Sequence, residues 1–230
     1  MPESIRSEIL AWFSPLRLGR VLDLGAGTGR IGRAFVEAGD LYTGIDLSFE
    51  MLRKFGTEAV LLQADGEYLP FPGLVFDVVL MMHLLSGLDR WQPVLAEARR
   101  VLRDGGVIAV GHTVSPPDGI DQQMKRRLSS ILERQGVTPP QPKKQRGAAL
   151  ACLESVAQRT RSVTSESWIS HRTPRSFIAR HRTGRKFGTL AVAAREQALE
   201  QVALWAETQF GSLDAEFEEH YQFEIHLFGF

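Results

Sequence analysis

Apolar positions along the first half of the chain fall into short runs separated by stretches with helical spacing. The runs predict five strands, at residues 21–24, 41–45, 59–64, 76–82 and 107–110. Between them, apolar residues recur at three- and four-residue steps, as in the helix predicted over 90–102. Apolar strands that alternate with helices are typical of a parallel sheet buried on both faces.

The pattern changes at Ser115-Pro116-Pro117, where the alternation of strands and helices stops. Beyond it we predict a polar helix over 118–135, an exposed loop at 138–146, a helix over 147–157, a β-prone stretch at 159–169, an amphipathic helix over 190–209 and a last strand at 221–230. The second half of the chain is therefore organised differently from the first.

Composition narrows the class of protein. The chain has 230 residues, of which 43% are hydrophobic and 23% charged, which excludes a disordered, collagen-like or coiled-coil chain. Cys152 is the only cysteine, so we expect no internal disulfide and no cysteine-based zinc site, as suits a reducing cytosol. The acidic N-terminus is unlike a signal peptide, and no apolar run is long enough to span a membrane, so we expect a cytoplasmic protein.

The net charge of zero conceals three unequal segments. Residues 1–115 carry a net −3, residues 116–195 a net +11 and residues 196–230 a net −8. Neighbouring solvated faces that neutralise each other are the favoured interpretation. The alternative is that the basic segment meets an anionic substrate.

Glycines and aspartates follow the first three predicted strands. The first strand runs into Gly25-Ala26-Gly27-Thr28-Gly29, Asp46 closes the second strand, and Asp65 closes the third. Alternate glycines let a backbone approach a ligand closely, and ligands bind at the carboxyl ends of parallel strands. Asp46 could accept hydrogen bonds from ribose hydroxyls, and Asp65 one from an adenine amino group. The less favoured alternative for each feature alone is a tight turn that binds no ligand.

Four segments together resemble the class I S-adenosylmethionine-dependent methyltransferases, in particular the small-molecule branch similar to the ubiquinone/menaquinone-biosynthesis enzymes. The segments cover about 19–114 and read VLDLGAGTGR (21–30), GIDLS (44–48), ADGEYLPFPGLVFDVVL (64–80) and EARRVLRDGGVIAV (97–110). Asp104 stands where the family usually has proline.

The resemblance implies an α/β fold with a Rossmann-like seven-stranded, mostly parallel sheet, helices on both faces and an antiparallel last strand. The last two strands would come from 159–169 and 221–230. The expected organisation is an N-terminal cap helix (1–18), an S-adenosylmethionine-binding core (19–114), an acceptor-recognition insertion that includes a late strand (115–195), and a C-terminal helix with edge strands completing the sheet (196–230).

The resemblance also implies roles for the cofactor-binding residues. The backbone of Gly25, Ala26 and Gly27 would cradle the methionine part of the cofactor. Asp46 would bind the ribose, Leu47 would pack on the adenine, and Asp65 with Gly66 would lie at its edge. Asp23 would lie near the positively charged donor, and Met81 and Met82 would border the methyl group. No metal is expected.

On the acceptor side, position favours His83 as a catalytic base, ahead of Tyr68 and His112. Trp12, His83 and Arg172 are candidate substrate residues, with Trp12 as a lid or as a core residue. We expect a small-molecule methyl acceptor rather than a nucleic acid, no membrane, and a monomer or homodimer.

Two alternatives remain open. Residues 27–32 fit the G-x-G-x-x-G pattern of an NAD-dependent oxidoreductase, but that register starts late and Asp46 follows too soon. The other alternative is a non-catalytic S-adenosylmethionine-binding module.

Overall fold

The computed structural model describes residues 2–13, 19–56, 59–88, 90–137, 142–165, 167–183 and 191–230. The chain divides into two compact units. Unit 1 consists of Met1–Thr113, Pro142–Ser165 and Phe223–Phe230, and unit 2 of Val114–Gln141 and Glu166–Gln222.

Helices and strands alternate through the first half of the chain, as predicted. The helices are α1 (Pro2–Trp12), α2 (Arg33–Glu37), α3 (Phe49–Phe55), α4 (Trp91–Val101), α5 (Ile120–Arg134), α6 (Pro142–Val156), α7 (Pro174–Thr183) and α8 (Val192–Phe210), with a 3₁₀ turn at Leu85–Gly87. The strands are β1 (Arg20–Leu24), β2 (Leu41–Asp46), β3 (Val60–Gln63), β4 (Phe76–Met82), β5 (Leu102–Val114), β6 (Arg159–Thr164), β7 (Trp168–Arg172) and β8 (Phe217–Gly229).

The main sheet has the strand order β3-β2-β1-β4-β5-β8-β6. Pairings among β1 to β5 are parallel, and β6 pairs antiparallel with β8. The predicted mostly parallel sheet with an antiparallel last strand is confirmed. The apolar runs explain the order, because the central strands β1 and β4 are almost wholly buried, while the edge strand β3 is largely exposed.

The β-prone stretch at 159–169 is two strands rather than one. Both pair with β8, which begins at Phe217, four residues before its predicted start. The registers Thr164↔Glu224 and Trp168↔Tyr221 are out of step by one residue, so one regular strand cannot make both pairings. Residue 166 lies outside the described residues.

The predicted loop at 138–146 is wrong for residues 142–146, which form the first turn of α6. The proline-rich composition suggested a loop, but Pro142 stands at the first helical position, where proline loses no hydrogen bond. Residues 138–141 lie outside the described residues.

Unit 2 is built on a helical core that includes α5, α7 and α8. Phe177 and Met124 are fully buried there, together with Val202. α7 was not predicted, since its arginines obscured the apolar pair Phe177 and Ile178.

The basic residues of α7 pair with acidic residues of the same unit. Side-chain nitrogens of Arg175, Arg180 and Arg182 lie 2.6, 2.6 and 2.9 Å from carboxylate oxygens of Asp214, Asp121 and Glu196. Two of the pairs, those with Asp214 and Glu196, join the basic segment to the acidic C-terminal segment as predicted, whereas Asp121 belongs to the basic segment itself. Arg185 and Lys186 lie outside the described residues.

No helix within the described ranges is both long and apolar enough to cross a membrane.

Candidate functional site

The loop after β1 takes a shape that requires glycine. Gly25, Gly27 and Gly29 have φ angles of +76°, +56° and +78°, in the left-handed region that residues with a Cβ avoid. The N–H groups of Gly25 and Ala26 both donate to the carbonyl of Ile45 at 2.9 Å, which holds the loop against the end of β2. A Cβ on Gly27 would have only the Gly25 carbonyl oxygen near it, at 3.9 Å, so the backbone there faces open space. This surface can receive a ligand at backbone distance.

Asp46 joins the glycine loop to the start of α3. Its Oδ2 accepts from the Gly27 N–H at 3.0 Å, and its Oδ1 accepts from the Ser48 N–H at 2.8 Å. Ser48 in turn caps α3, because its side chain accepts from the Met51 N–H. A carboxylate offers about four acceptor positions, so Asp46 retains capacity for two ligand hydroxyls. Leu47, the next residue, exposes 53% of its surface and offers an apolar face beside that carboxylate.

Asp23 is a buried carboxylate beneath the loop, 2% exposed, and Tyr42 is its hydrogen-bond partner. The Tyr42 hydroxyl donates to Asp23 Oδ2 at 2.7 Å. Burial raises the pKa of Asp23 to about 6; the hydrogen bond from Tyr42 opposes this rise, and the charge of Asp46 adds to it. Gly32 makes the arrangement possible, because a Cβ there would collide with the Tyr42 hydroxyl. Sequence reasoning missed Tyr42, since nothing but its place in β2 distinguishes it.

Asp65 and Gly66 follow β3 and lie one strand further along the same edge of the sheet. Asp65 is exposed, and its Oδ1 accepts from the Glu67 N–H at 2.9 Å in a local turn. The N–H of Ala64 donates to the Asp46 carbonyl at 3.2 Å, so the ends of β2 and β3 are tied together. The structure therefore brings Asp46 and Asp65 to neighbouring strand ends.

The end of β4 supplies the methionines and His83. Met81 is fully buried and Met82 nearly so, whereas His83 is exposed. His83 has a φ of +60°, an unfavourable angle for histidine, and its N–H donates to the Gly111 carbonyl at 2.8 Å. Its ring packs edge-on against Phe223, with Nε2 3.5 Å from the Thr113 hydroxyl. Outliers of this kind concentrate at functional sites.

Leu84, directly after His83, links the end of β4 to the glycine loop. A Cβ on Gly25 would lie 3.0 Å from the Leu84 side chain. The structure thus gathers Gly25–Gly27, Asp46 and the Met82–His83 turn around the carboxyl ends of β1, β2 and β4.

Trp12 is not brought to this group. Trp12 is 8% exposed, and the Arg159 guanidinium lies 4.2 Å above its ring. Trp12 also packs against Gly229, close to where β5 begins rather than where it ends. Arg172 belongs to unit 2, where it donates to the Tyr221 hydroxyl at 3.2 Å.

The part of the chain that contains the glycine loop and Asp46 is similar to known proteins. Residues 22–110 match the family described as the methyltransferase domain. The match covers 89 of the 230 residues, and this part of the chain is thus similar to a methyltransferase domain. The glycine loop, Asp46, Asp65 and the Met81–His83 segment all lie within it. The resemblance to class I S-adenosylmethionine-dependent methyltransferases is therefore confirmed for residues 22–110.

Curated relatives match about half of the chain. The 27-O-demethylrifamycin SV methyltransferase of Amycolatopsis mediterranei is 36% identical over 131 residues, which cover 51% of this chain and 48% of that protein. A demethylmenaquinone methyltransferase of Tropheryma whipplei is 38% identical over 120 residues, which cover 50% of each. The chain thus spans about half the length of the curated relatives it matches.

One solved structure shares its fold with this chain along the full length of both. The YcgJ protein of Bacillus subtilis aligns with all of this chain and all of its own, with a TM-score of 0.60 and 19% identity. At that identity the likeness shows a shared fold. The predicted Rossmann-like α/β class is confirmed by it.

Proposed function

We propose that the protein transfers the methyl group of S-adenosylmethionine to a small-molecule acceptor. The observation that carries the proposal is the hydrogen bond from the Gly27 N–H to Asp46, inside the part of the chain that is similar to a methyltransferase domain. It sets an open glycine backbone beside a carboxylate with spare acceptor capacity. Gly25, Ala26 and Gly27 would hold the methionine part, Asp46 the ribose and Leu47 the adenine, with Asp65 and Gly66 at the adenine edge.

Asp23 would act through its charge. With a pKa of about 6, the carboxylate is mostly ionised at neutral pH although it is buried. An ionised buried carboxylate gains from a nearby cation, because Coulomb attraction is weakly screened away from water. A sulfonium or an amino group above the loop would supply that cation. Tyr42 would hold the carboxylate in place through its 2.7 Å hydrogen bond.

The bound cofactor would supply an electrophilic methyl group on a sulfonium, whose departure leaves a neutral thioether. The residues of the protein then have two tasks, to align the acceptor and to exclude water. Met81 and Met82 would form an apolar wall beside the methyl group. His83 would take a proton from an acceptor hydroxyl or nitrogen where one must be removed. Thr113, 3.5 Å from His83 Nε2, would orient the ring.

Two observations support a small-molecule acceptor over a nucleic acid. The arginines of α7 that the structure describes are paired with carboxylates, so their charge is already balanced within unit 2. In addition, the relatives described above are named for the methylation of 27-O-demethylrifamycin SV and demethylmenaquinone. Arg172 stays a candidate acceptor residue, whereas Trp12 is buried near the start of β5 and takes its alternative role as a core residue. A cytoplasmic location suits the single, exposed Cys152.

Thermal unfolding with two ligands tests the cofactor. A ligand that binds only the folded protein stabilises it by about 2.7 kcal/mol at a hundredfold excess over its dissociation constant. For a chain of this length that corresponds to a rise in melting temperature of roughly 5–10 °C. S-adenosylhomocysteine should give this rise with cofactor-free protein, and NADH should give none. A larger shift with NADH would contradict the proposal and favour the oxidoreductase alternative.

Catalysis is tested separately, because a non-catalytic module would also bind the cofactor. The assay follows release of S-adenosylhomocysteine from S-adenosylmethionine with a panel of phenols, quinols, amines and carboxylates. An enzyme releases it faster with an acceptor than without one, and His83→Ala should lower that rate without weakening cofactor binding. Binding with no acceptor-dependent release across the panel would favour the module.

A further inference from the structure

A second cluster of polar side chains lies in unit 1, apart from the residues assigned to methyl transfer. It consists of His112 on β5 and of Glu224 and His226 on β8. One potential ligand atom from each residue lies within 4.8 Å of the others. His112 Nε2 is 3.2 Å, and His226 Nε2 3.7 Å, from Glu224 Oε2.

The topology of the sheet explains how the cluster forms. Glu224 and His226 are two residues apart on β8, so their side chains project from the same face. β5 is the neighbouring strand and contributes His112. Phe223, which contacts His83, alternates with Glu224 and projects from the opposite face. The cluster therefore lies on the opposite face of the sheet from Phe223, the residue that His83 contacts.

Ser162 fixes the orientation of one histidine. It lies opposite His226 on β6, with its hydroxyl oxygen 2.8 Å from His226 Nδ1. When Nδ1–H donates to this hydroxyl, the lone pair of Nε2 points toward Glu224. Within the described part of the chain, His226 Nε2 is a buried nitrogen that has no hydrogen-bond partner. A metal-binding histidine usually donates a hydrogen bond from the ring nitrogen that does not bind the metal, which fixes the orientation of the ring.

We propose that His112, Glu224 and His226 bind a divalent transition metal ion, for which Zn²⁺ is the probe. Ligand atoms about 2.0–2.2 Å from a tetrahedral ion lie about 3.4 Å apart. The two distances to Glu224, 3.2 and 3.7 Å, lie on either side of this value. Two imidazoles and a carboxylate are a donor set that suits zinc. The side chain of Glu224 is 37% exposed, so an ion can enter from solvent and hold water as its fourth ligand.

The charges around the cluster shape the expected affinity. Arg146 of α6 is partly buried and interacts electrostatically with Glu224, so it competes with a cation for this carboxylate. Glu154 of the same helix is negatively charged, so its electrostatic effect on His226 is opposite to that of Arg146. Arg146→Gln should therefore tighten metal binding, a result that a purely structural hydrogen-bonded cluster would not give.

The test is calorimetric titration of Zn²⁺ into metal-stripped, untagged protein that carries Cys152→Ser, since the exposed Cys152 thiol could bind zinc itself. We expect one ion per chain with a dissociation constant below about 1 µM. Ser162→Ala should weaken binding about 10- to 100-fold, as loss of a supporting residue does, and His226→Ala or Glu224→Gln should weaken it more. The control is His171→Ala, because His171 also lies beside a carboxylate, 3.4 Å from Glu216, yet is exposed in unit 2.

Absorption of the Co²⁺ form gives a second readout that does not depend on the variants folding. Wild-type protein with one Co²⁺ per chain should show the visible bands of a four-coordinate ion, and Zn²⁺ should displace them. Failure of metal-stripped wild-type protein to bind either ion below about 1 µM would overturn the proposal. Equal affinity in wild type, Glu224→Gln and His226→Ala would overturn it as well, since the ion would then have other ligands.

Discussion

Replacement of Asp23 by asparagine should change how the stability of the protein depends on pH. The folded protein holds the pKa of Asp23 at about 6, against an ordinary value of 3.8. Between pH 3.8 and about pH 6, the folded chain binds more protons at Asp23 than the unfolded chain does. The free energy of unfolding of the wild type, relative to a variant without this carboxyl group, must therefore fall as pH rises from about 4 to about 6 and stay level above.

The size of the effect follows from the shift. A difference of about 2 pKa units at 1.36 kcal/mol each gives about 3 kcal/mol. This value already includes the hydrogen bond from Tyr42, which opposes the shift. The asparagine side chain would keep an acceptor for the Tyr42 hydroxyl and carry no charge to be buried. Asp23→Asn should thus gain about 3 kcal/mol on the wild type between pH 4 and pH 7, or roughly 6–12 °C in melting temperature.

The assay is chemical denaturation of cofactor-free wild type and Asp23→Asn at several pH values. The measured quantity is the difference in the free energy of unfolding between the two proteins. Titrations of all other groups contribute equally to both proteins and therefore cancel in this difference. Asp104→Asn is the control for removing an aspartate that is not buried, since the side chain of Asp104 is 88% exposed. A flat difference for Asp23→Asn would refute the reasoning, because Asp23 would then titrate alike in the folded and unfolded chains. The same variant should bind S-adenosylhomocysteine, which lacks the sulfonium charge, with less loss than S-adenosylmethionine.

Two further substitutions test the loop and the core of unit 2. Gly27→Ala should lower the free energy of unfolding by about 1–2 kcal/mol, because Gly27 has a φ of +56°, and should also weaken cofactor binding. Gly39→Ala is the control, because Gly39 has a φ of +77° and similar open space around it. It should lower the stability by a similar amount but leave the affinity for the cofactor, measured by calorimetry, unchanged. Equal affinity in the two variants would contradict a ligand-binding role for Gly27. Phe177→Ala should lower the free energy of unfolding by about 3–5 kcal/mol, because Phe177 is fully buried. Leu204→Ala on α8, 67% exposed, should change it by less than about 0.5 kcal/mol, and similar losses in both would contradict the packing described for unit 2.

The sequence predicts the strand-end residues well, because their pattern is local. Runs such as Val21–Leu24 and Leu41–Ile45 are rich in apolar residues, and Gly25 and Asp46 follow them directly. The order of such elements along the chain determines which strand ends meet at one edge. The positions of Gly25, Asp46 and Asp65 at neighbouring strand ends could therefore be expected before the structure was known.

In other parts of the chain, long-range contacts determine which elements form, so the sequence alone predicts the structure less well. The helix α7 holds arginines that make its pattern polar, and only their pairing with Asp121, Asp214 and Glu196 reconciles that charge with a buried Phe177. A local signal was present at Thr173, whose hydroxyl accepts from the Ser176 N–H at 3.1 Å and marks the start of the helix.

The cluster on β5 and β8 illustrates the same limit at the level of a site. His112 and His226 are 114 residues apart in the sequence, and only the pairing order of the strands brings them together. With one cysteine and scattered histidines, the sequence led us to expect no metal, whereas the structure supports a metal-binding proposal.

The central claim is that the glycine loop and Asp46 bind S-adenosylmethionine, and titration calorimetry with S-adenosylhomocysteine tests it most directly. The protein should bind the ligand, and Asp46→Ala should weaken binding by about 1.5–3 kcal/mol, or roughly 10- to 150-fold, as expected for lost hydrogen bonds to a charged group. Asp77→Ala is the matched control, because Asp77 also accepts a backbone N–H, that of Arg20 at 2.7 Å, but at the opposite end of the strands. Its affinity should equal that of the wild type. No binding to the wild type, or unchanged affinity in Asp46→Ala, would contradict the account.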